Sequence, residues 1–487
     1  MPPLAESPRD TDTRRRYAVV GTGHRAQMYV DAILGPHRDV ARIVAWCEPN
    51  PVRSAFYDDL VAAAGEAPVP TYAPDDLEGM IERERVDAVV VTSPDRTHAD
   101  VVARVLAAGA DVVLEKPMTT TGRGCRQIVD AVAEHGRDVV VTFNYRYSPR
   151  NTALKQVIAS GEIGEVTAVH FEWVLDTVHG ADYFRRWHRE KAISGGLLVH
   201  KSSHHADLVN WWVDDEPDLV FARGGLRFYG ADGAGSDDAP AGSRPARGTR
   251  GAPDGPAADA PRDLFLLDLA DDQRLADLYL DAEAHDGYRR DQDPFAPGVT
   301  IEDTAAVIVQ YGRGALLTYS LTAYGPWEGY RVSVTGTRGR AELEVVERGA
   351  VLTDEDGRPV LDPSAQEALA TGPTRPRGER LVVQRHWEEA REVPIPRGQG
   401  SHGGGDAMLL QDVFRGPGED PLGRPAGWRD GLLAAGVGIA ANRSLETGLP
   451  VRLADAVGGA HRELTATVAD ASDLDPDDAA RVQAVGA

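Results

Sequence analysis

Apolar and polar positions follow two textures along this chain. In the first, short apolar runs at 17–20, 42–47, 86–92, 112–114 and 139–143 are separated by stretches with helical spacing at 27–34, 99–108 and 126–134. Strands alternating with helices predict βαβ units and a parallel sheet, here spanning residues 14–146. In the second texture, a helix at 152–160, a strand at 166–175 and a helix at 196–212 precede consecutive strand-like runs. These lie at 219–228, 264–269, 305–311, 315–321, 330–335 and 341–346. With Gly312-Arg313-Gly314 and Thr337-Arg338-Gly339 as hairpin connections, they predict a mostly antiparallel sheet. A helix at 430–445 closes this second unit, placed at 147–455. The expected class is α/β in two units.

Three stretches fall outside that pattern. Residues 1–13 read as a disordered leader and 456–487 as an acidic tail. Residues 231–262 hold no large aliphatic or aromatic side chain and cannot offset their ordering entropy, so a disordered surface insertion is expected. Residues 371–380 resemble a shorter one. The formal charge is −24, from 52 basic against 76 acidic residues, which disfavours a nucleic-acid partner. The two cysteines, Cys47 and Cys125, fit neither a disulfide framework nor a metal site and point to a reducing compartment. No apolar run is long enough to span a bilayer. Arg14-Arg15-Arg16 before an apolar run has the form of an export signal, but that run turns at once into glycines. A cytoplasmic protein is expected.

Gly21-Thr22-Gly23-His24-Arg25-Ala26 has the form GxGxxA and follows a strand while opening a helix. Gly21 permits the tight turn, Gly23 leaves room for a pyrophosphate, and Ala26 allows close helix–sheet packing. The helix start, from His24 and Arg25 onward, offers N–H groups to phosphates. Glu48 ends the second strand, where a carboxylate accepts ribose hydroxyls and repels a 2′-phosphate, favouring NAD over NADP. Arg53 lies close enough to soften that preference.

Further along come Thr92-Ser93-Pro94 with His98, then Glu115-Lys116-Pro117 after a strand, and Asn144-Tyr145-Arg146. In this order, with GxGxxA and Glu48, they resemble the glucose–fructose oxidoreductase / inositol 2-dehydrogenase / rhizopine-catabolism family, Gfo/Idh/MocA. The resemblance extends through residues 195–212, Glu302-Asp303 and 438–451. It implies an N-terminal Rossmann domain binding NAD and a C-terminal α/β domain with a large, mostly antiparallel open sheet. The open sheet face would build a homodimer or homotetramer. Thr92, Ser93, Pro94, His98, Glu115 and Asn144 would line the cofactor, and Lys116 would face the substrate hydroxyl. A partly desolvated lysine near a nicotinamide can exchange that proton; in isolation the same residue would read as a solvated lysine.

The family pattern in the second unit runs Gly-Gly, aspartate, histidine, aspartate. Here Gly195-Gly196 leads to His200, His204 and Asp207, so a histidine replaces the first aspartate. His204 is the candidate acid/base, set against a buried structural histidine as the alternative. His200 either orients His204, touches substrate, or joins His179, His188 and His205 around a divalent metal; the spacing does not demand a metal, and none is assigned. Residues 179–188 read as a donor-rich loop beside the pocket, with His179, Tyr183, Arg186 and Trp187, together with Arg146, as candidate contacts to a sugar. The plainer alternative is a loop packed by its aromatics.

These readings converge on a NAD-dependent enzyme acting on a CH–OH group of a sugar, sugar derivative or polyol. A redox-neutral glycoside-cleaving enzyme, working by transient oxidation and elimination, is the runner-up. A non-catalytic NAD- or sugar-sensing regulator is a third reading, disfavoured by the presence of both Lys116 and His204.

Overall fold

The computed structural model describes residues 12–236, 265, 267–351, 374–396 and 404–459. Six strands form the first sheet: β1 (Arg15–Val20), β2 (Ala41–Cys47), β3 (Thr71–Tyr72), β4 (Ala88–Val91), β5 (Asp111–Leu114) and β6 (Val139–Val141). All neighbours are parallel, in the order β3-β2-β1-β4-β5-β6. Helices cover both faces, so inner strands such as β4 and β5 are buried on both sides and read as continuous apolar runs. The strand order reverses at β1, with β2 on one side and β4 on the other, all running the same way. That switch point opens a crevice at the carboxyl ends of the strands, where ligands of such sheets bind.

The second sheet has nine strands. They are β7 (Val166–Asp176), β8 (Pro217–Gly225), β9 (Thr304–Tyr311), β10 (Leu316–Gly325), β11 (Glu328–Gly336), β12 (Gly339–Arg348), β13 (Gly378–Arg385), β14 (Arg391–Val393) and β15 (Val451–Arg452). Their order is β14-β13-β12-β11-β7-β10-β9-β8-β15, antiparallel except where β10 lies parallel to β7. Burial alternates along the strands, as in β9, because helices cover only one face. The open face carries a hollow of 560 Å³ lined by polar residues such as Glu172, Thr318, Arg331 and Glu342. The covered face and much of the first sheet share one apolar core, in which Val20 and Leu114 join Trp173 and Trp212.

The two expected hairpin turns fall between β9 and β10 and between β11 and β12. Four expectations need correction. Residues 179–188 are largely helical, in Thr177–Arg185, because the Asp176 carboxylate accepts the N–H groups of Val178 and His179 and caps the helix. The single helix at 196–212 is two, Leu197–His200 and Ser202–Val213, broken at Lys201. No strand forms among the described residues of 264–269. There, Leu267 and Leu269 leave the sheet and pack into the apolar core of the first domain. Within 371–380, the end belongs to β13, whose ladder with β12 supplies the backbone partners that a loose segment lacks. The expected leader, most of the 231–262 insertion and nearly all of the tail lie outside the described residues. Among the described residues, no helix is long and apolar enough to cross a membrane.

The helix Trp428–Thr447 crosses Leu197–His200 through Gly438, where an added Cβ would collide with the Leu198 carbonyl. Gly438→Ala is therefore expected to cost about 1–3 kcal/mol through overpacking. Thermal denaturation measures this, and an unchanged midpoint would mean that the two helices separate freely.

Candidate active site

The site is built at the carboxyl ends of β1, β4 and β5. Gly21 leaves β1 with φ +84°, and a Cβ there would lie 2.7 Å from the Ser93 backbone, so only glycine lets the two turns touch. Thr92 Oγ1 donates to the Gly21 carbonyl at 2.5 Å. The His98 ring nitrogens lie 2.9 and 2.8 Å from the carbonyls of Ser93 and Pro117, bracing the turn that carries Lys116. The Lys116–Pro117 bond is cis. Glu115 accepts from Tyr29 at 2.7 Å and pairs with Arg25 at 2.5 Å, so Arg25 is tied to the strand ends.

Lys116 Nζ donates to the His200 carbonyl at 3.2 Å. The His200 ring meets Asp95 through Nδ1, at 2.5 Å from Oδ2. This joins the two domains through buried polar groups. Burial pushes the Asp95 carboxyl well above its ordinary range, against the pull of Lys116, and pushes His200 well below its own. Burial also lowers Lys116, against the influence of Tyr183 and Asp95. Asp95 went unassigned in the sequence reading; the available signal was a carboxylate directly after Thr-Ser-Pro at the end of a strand.

His204 lies elsewhere, stacked on Tyr145 with ring centres 4.3 Å apart and edge-on to Phe143. The continuous helix face expected for His200 and His204 is interrupted at Lys201. Arg146 does not reach toward substrate. Asp207 takes it at 2.6 and 2.8 Å and Asp430 at 2.7 Å, which makes it a buried pin between elements. Such a pair is costly to break from one side, by about 3–5 kcal/mol.

On the second-domain wall, His179 Nδ1 lies 2.7 Å from Glu328, and Arg186 pairs with Asp182 at 2.9 Å. Trp187 stacks on His188 at 3.6 Å, and Tyr183 packs against His179 and His200. Burial alone would raise the Tyr183 phenol, yet Lys201, His179, Lys116 and Arg186 together bring its pKa down, which marks a cation-rich wall. Only four of the 52 basic residues are lysines: Lys116, Lys155, Lys191 and Lys201. Lys155 and Lys201 are buried, and Lys191 pairs with Glu302 at 2.8 Å. Among the described residues, no group of three or more His, Cys, Asp and Glu is arranged to hold a metal.

At the GxGxxA turn, Glu48 faces inward. One oxygen accepts the Thr22 N–H at 2.8 Å and the other accepts the Asn50 N–H at 2.9 Å, with Arg53 at 3.5 Å. A segment of the second domain covers this turn. Tyr279 accepts the His24 N–H through its hydroxyl at 2.8 Å, the N–H that a turn of this shape offers to phosphate. Two buried polar atoms lack a partner among the described residues, Arg53 Nη2 by the turn and Asn144 Oδ1, whose amide nitrogen donates to Asp406. A phosphate or ribose oxygen and a carboxamide would satisfy them, so the residues fit a nicotinamide dinucleotide.

A parallel sheet with a glycine-rich turn at its switch point, joined to a large open sheet, defines a two-domain dinucleotide-binding oxidoreductase. The chain belongs to the Gfo/Idh/MocA oxidoreductase family: the description "Oxidoreductase family, NAD-binding Rossmann fold" matches residues 15–143, and "Oxidoreductase family, C-terminal alpha/beta domain" matches 155–453. The putative oxidoreductase YteT of Bacillus subtilis is 35% identical over 403 residues, covering 79% of this chain and 85% of that protein. An inositol 2-dehydrogenase of Rubrobacter xylanophilus is 33% identical over 151 residues, 30% of this chain and only 39% of the relative. Two solved structures share the fold at 17% identity. Aldose–aldose oxidoreductase from Caulobacter crescentus, complexed with glycerol, has a TM-score of 0.57 over 90% of this chain and 99% of that one. The WlbA dehydrogenase from Bordetella pertussis, in complex with NADH and UDP-GlcNAcA, has a TM-score of 0.55 over 90% and 98%.

The His179–Glu328 pair gives a titration test. Burial opposes the charged imidazole, but the Glu328 carboxylate outweighs it and lifts His179 to about 9. With the folded value above the ordinary 6.5, the pair's stabilisation is complete below pH 6.5 and is lost as pH rises through about 9. An NMR titration of the His179 ring should find its midpoint near 9 in the wild type, and Glu328→Gln should bring it below 6.5. A wild-type midpoint at 6.5 would show that the ion pair does not hold.

Proposed function

We propose that this chain is a NAD-dependent oxidoreductase acting on a CH–OH group of a sugar, sugar derivative or polyol. The observation that carries the reading is the meeting of Lys116, His200 and Asp95 beside the crevice of a dinucleotide-binding sheet. The names of the relatives, inositol 2-dehydrogenase and aldose–aldose oxidoreductase, favour the same substrate class. Residues 14–146 would hold the cofactor. Residues 147–455 would hold the substrate and, through the open sheet face, a second copy in a cytoplasmic homo-oligomer.

NAD, when bound, supplies the hydride acceptor. The protein's own task is the hydroxyl proton. Lys116, whose pKa burial lowers, takes it from the carbinol oxygen. Burial drives Asp95 and His200 both toward neutrality, so they hold one proton between them. With that proton on Asp95, His200 Nε2 carries its N–H and donates; with it on Nδ1, Nε2 becomes an acceptor. Release of the Nε2 proton draws the shared proton onto Nδ1 and leaves Asp95 a carboxylate, whose charge the neighbouring Lys116 ammonium offsets. His179, Tyr183, Arg186 and Trp187 orient the remaining hydroxyls, and His204 is a neighbouring group held by Tyr145.

Lys116→Ala and His200→Ala are each expected to reduce kcat by about 10²-fold or more, with NAD affinity nearly unchanged. His204→Ala should do less. The assay follows NADH during turnover of a panel of sugars, polyols and glycosides. Stoichiometric NADH supports the dehydrogenase, and glycoside cleavage without net NADH would replace it with the redox-neutral reaction.

Glu48 leaves a carboxylate at the ribose end of the turn, so NAD should bind well ahead of NADP. Titrating both cofactors checks this, and equal affinities would remove Glu48 from that role.

A further inference from the structure

The segment over the GxGxxA turn is anchored mainly to the domain it covers. Arg274 donates to Gln27 at 2.9 Å. Leu275, Leu278 and Tyr279 enter the apolar core of the first domain. Asn50 donates to the Ala282 carbonyl at 3.0 Å and to Asp286 at 2.9 Å. Arg53 donates to the Leu278 carbonyl at 3.3 Å, pairs with Asp286 at 2.6 Å, and lies 5.7 Å from the centre of the Tyr279 ring. Tyr279 adds the hydroxyl that accepts from His24, and it closes over Gly23, where an added Cβ would lie 3.4 Å from that hydroxyl.

These contacts take up the groups that the phosphate and ribose of a dinucleotide would use. The His24 N–H at the start of the first helix, the open space over Gly23, and the guanidinium of Arg53 beside Glu48 are all engaged or covered by one segment. Its own backbone is irregular: a three-residue α-turn at Gln273–Leu275, a π-turn at Ala276–Leu280 and a four-residue turn at Glu283–Asp286. Short π and α pieces of this kind have few internal hydrogen bonds to lose, so release costs little within the segment.

We propose that residues 272–286 are a built-in competitor for the pyrophosphate–ribose half of the NAD site, which the cofactor must displace to bind. The inference rests on the NAD-binding reading of the turn. Its consequence is arithmetic: the affinity measured for NAD is the intrinsic affinity reduced by the fraction of molecules with the segment released. Each contact that holds the segment down therefore weakens NAD binding, although none of these residues need touch the bound cofactor.

The test uses the full chain with NAD alone. Tyr279→Phe keeps the ring in the core and removes only the hydroxyl bonded to His24, and Asp286→Ala removes the anchor on Asn50 and Arg53. Each is expected to tighten NAD binding by about 2- to 10-fold, the scale of one net hydrogen bond, and to speed association in stopped-flow fluorescence. Thermal midpoints establish that both variants fold. Amide exchange on the wild type is a second readout that needs no variant: NAD should accelerate exchange across 272–286. Weaker binding by Tyr279→Phe, or slower exchange with NAD, would mean that the segment clasps the cofactor, and the proposal fails while the NAD reading stands. Unchanged affinity in both variants would also sink it. NAD binding absent from the wild type and from both variants would overturn the NAD reading, and the proposal with it.

Discussion

The hydrogen bond between Asp95 and His200 spans the two domains at the point where their chemistry meets. Asp95 belongs to the turn after β4, and His200 to a short helix over the second sheet. Both are buried, so neither side can swing away without leaving an unsatisfied polar group, a cost of about 1–3 kcal/mol. Lys116 reinforces the join by donating to the backbone of the same His200. The relative placement of the cofactor crevice and the second-domain wall follows from this contact. So does the position of the lysine amine, which lies between a strand end of one sheet and a helix of the other. The Arg146–Asp207–Asp430 cluster pins neighbouring elements with charges of its own.

Most of the polar groups around the crevice are paired with each other. Glu115 holds Arg25, Glu328 holds His179, and Asp182 holds Arg186. Pairing of this density fixes side-chain directions before any ligand arrives, which is how a site is preorganised.

The first sheet was legible because its information is local. Each strand but the two-residue β3 at the edge is an apolar run bounded by turn residues, and the GxGxxA turn announces itself within six positions. The second sheet was legible in outline, since alternation along β9 to β12 records the one covered face. What escaped were contacts between distant residues. Nothing near Tyr279 indicates that its hydroxyl meets His24, some 255 positions earlier. Nothing near Arg146 indicates that Asp207 and Asp430 will claim it. The helix Thr177–Arg185 escaped for a different reason: its density of donors and aromatics read as a loop beside the pocket, whereas Asp176 caps a helix there and Gly180 lets it approach the Ala323 carbonyl, where a Cβ would not fit.

The near-absence of lysine has a practical side. With Lys155 and Lys201 buried and Lys191 held by Glu302, the side-chain amines offer acylating or carbonyl-bearing reagents very little on the surface. Lys116 is partly exposed, and burial lowers the pKa of its amine. Reductive amination or a mild acylating probe would therefore concentrate on the crevice. Coupling chemistry that relies on surface amines would find few handles on this protein, whereas a small aldehyde able to enter the crevice would find its principal target already in place.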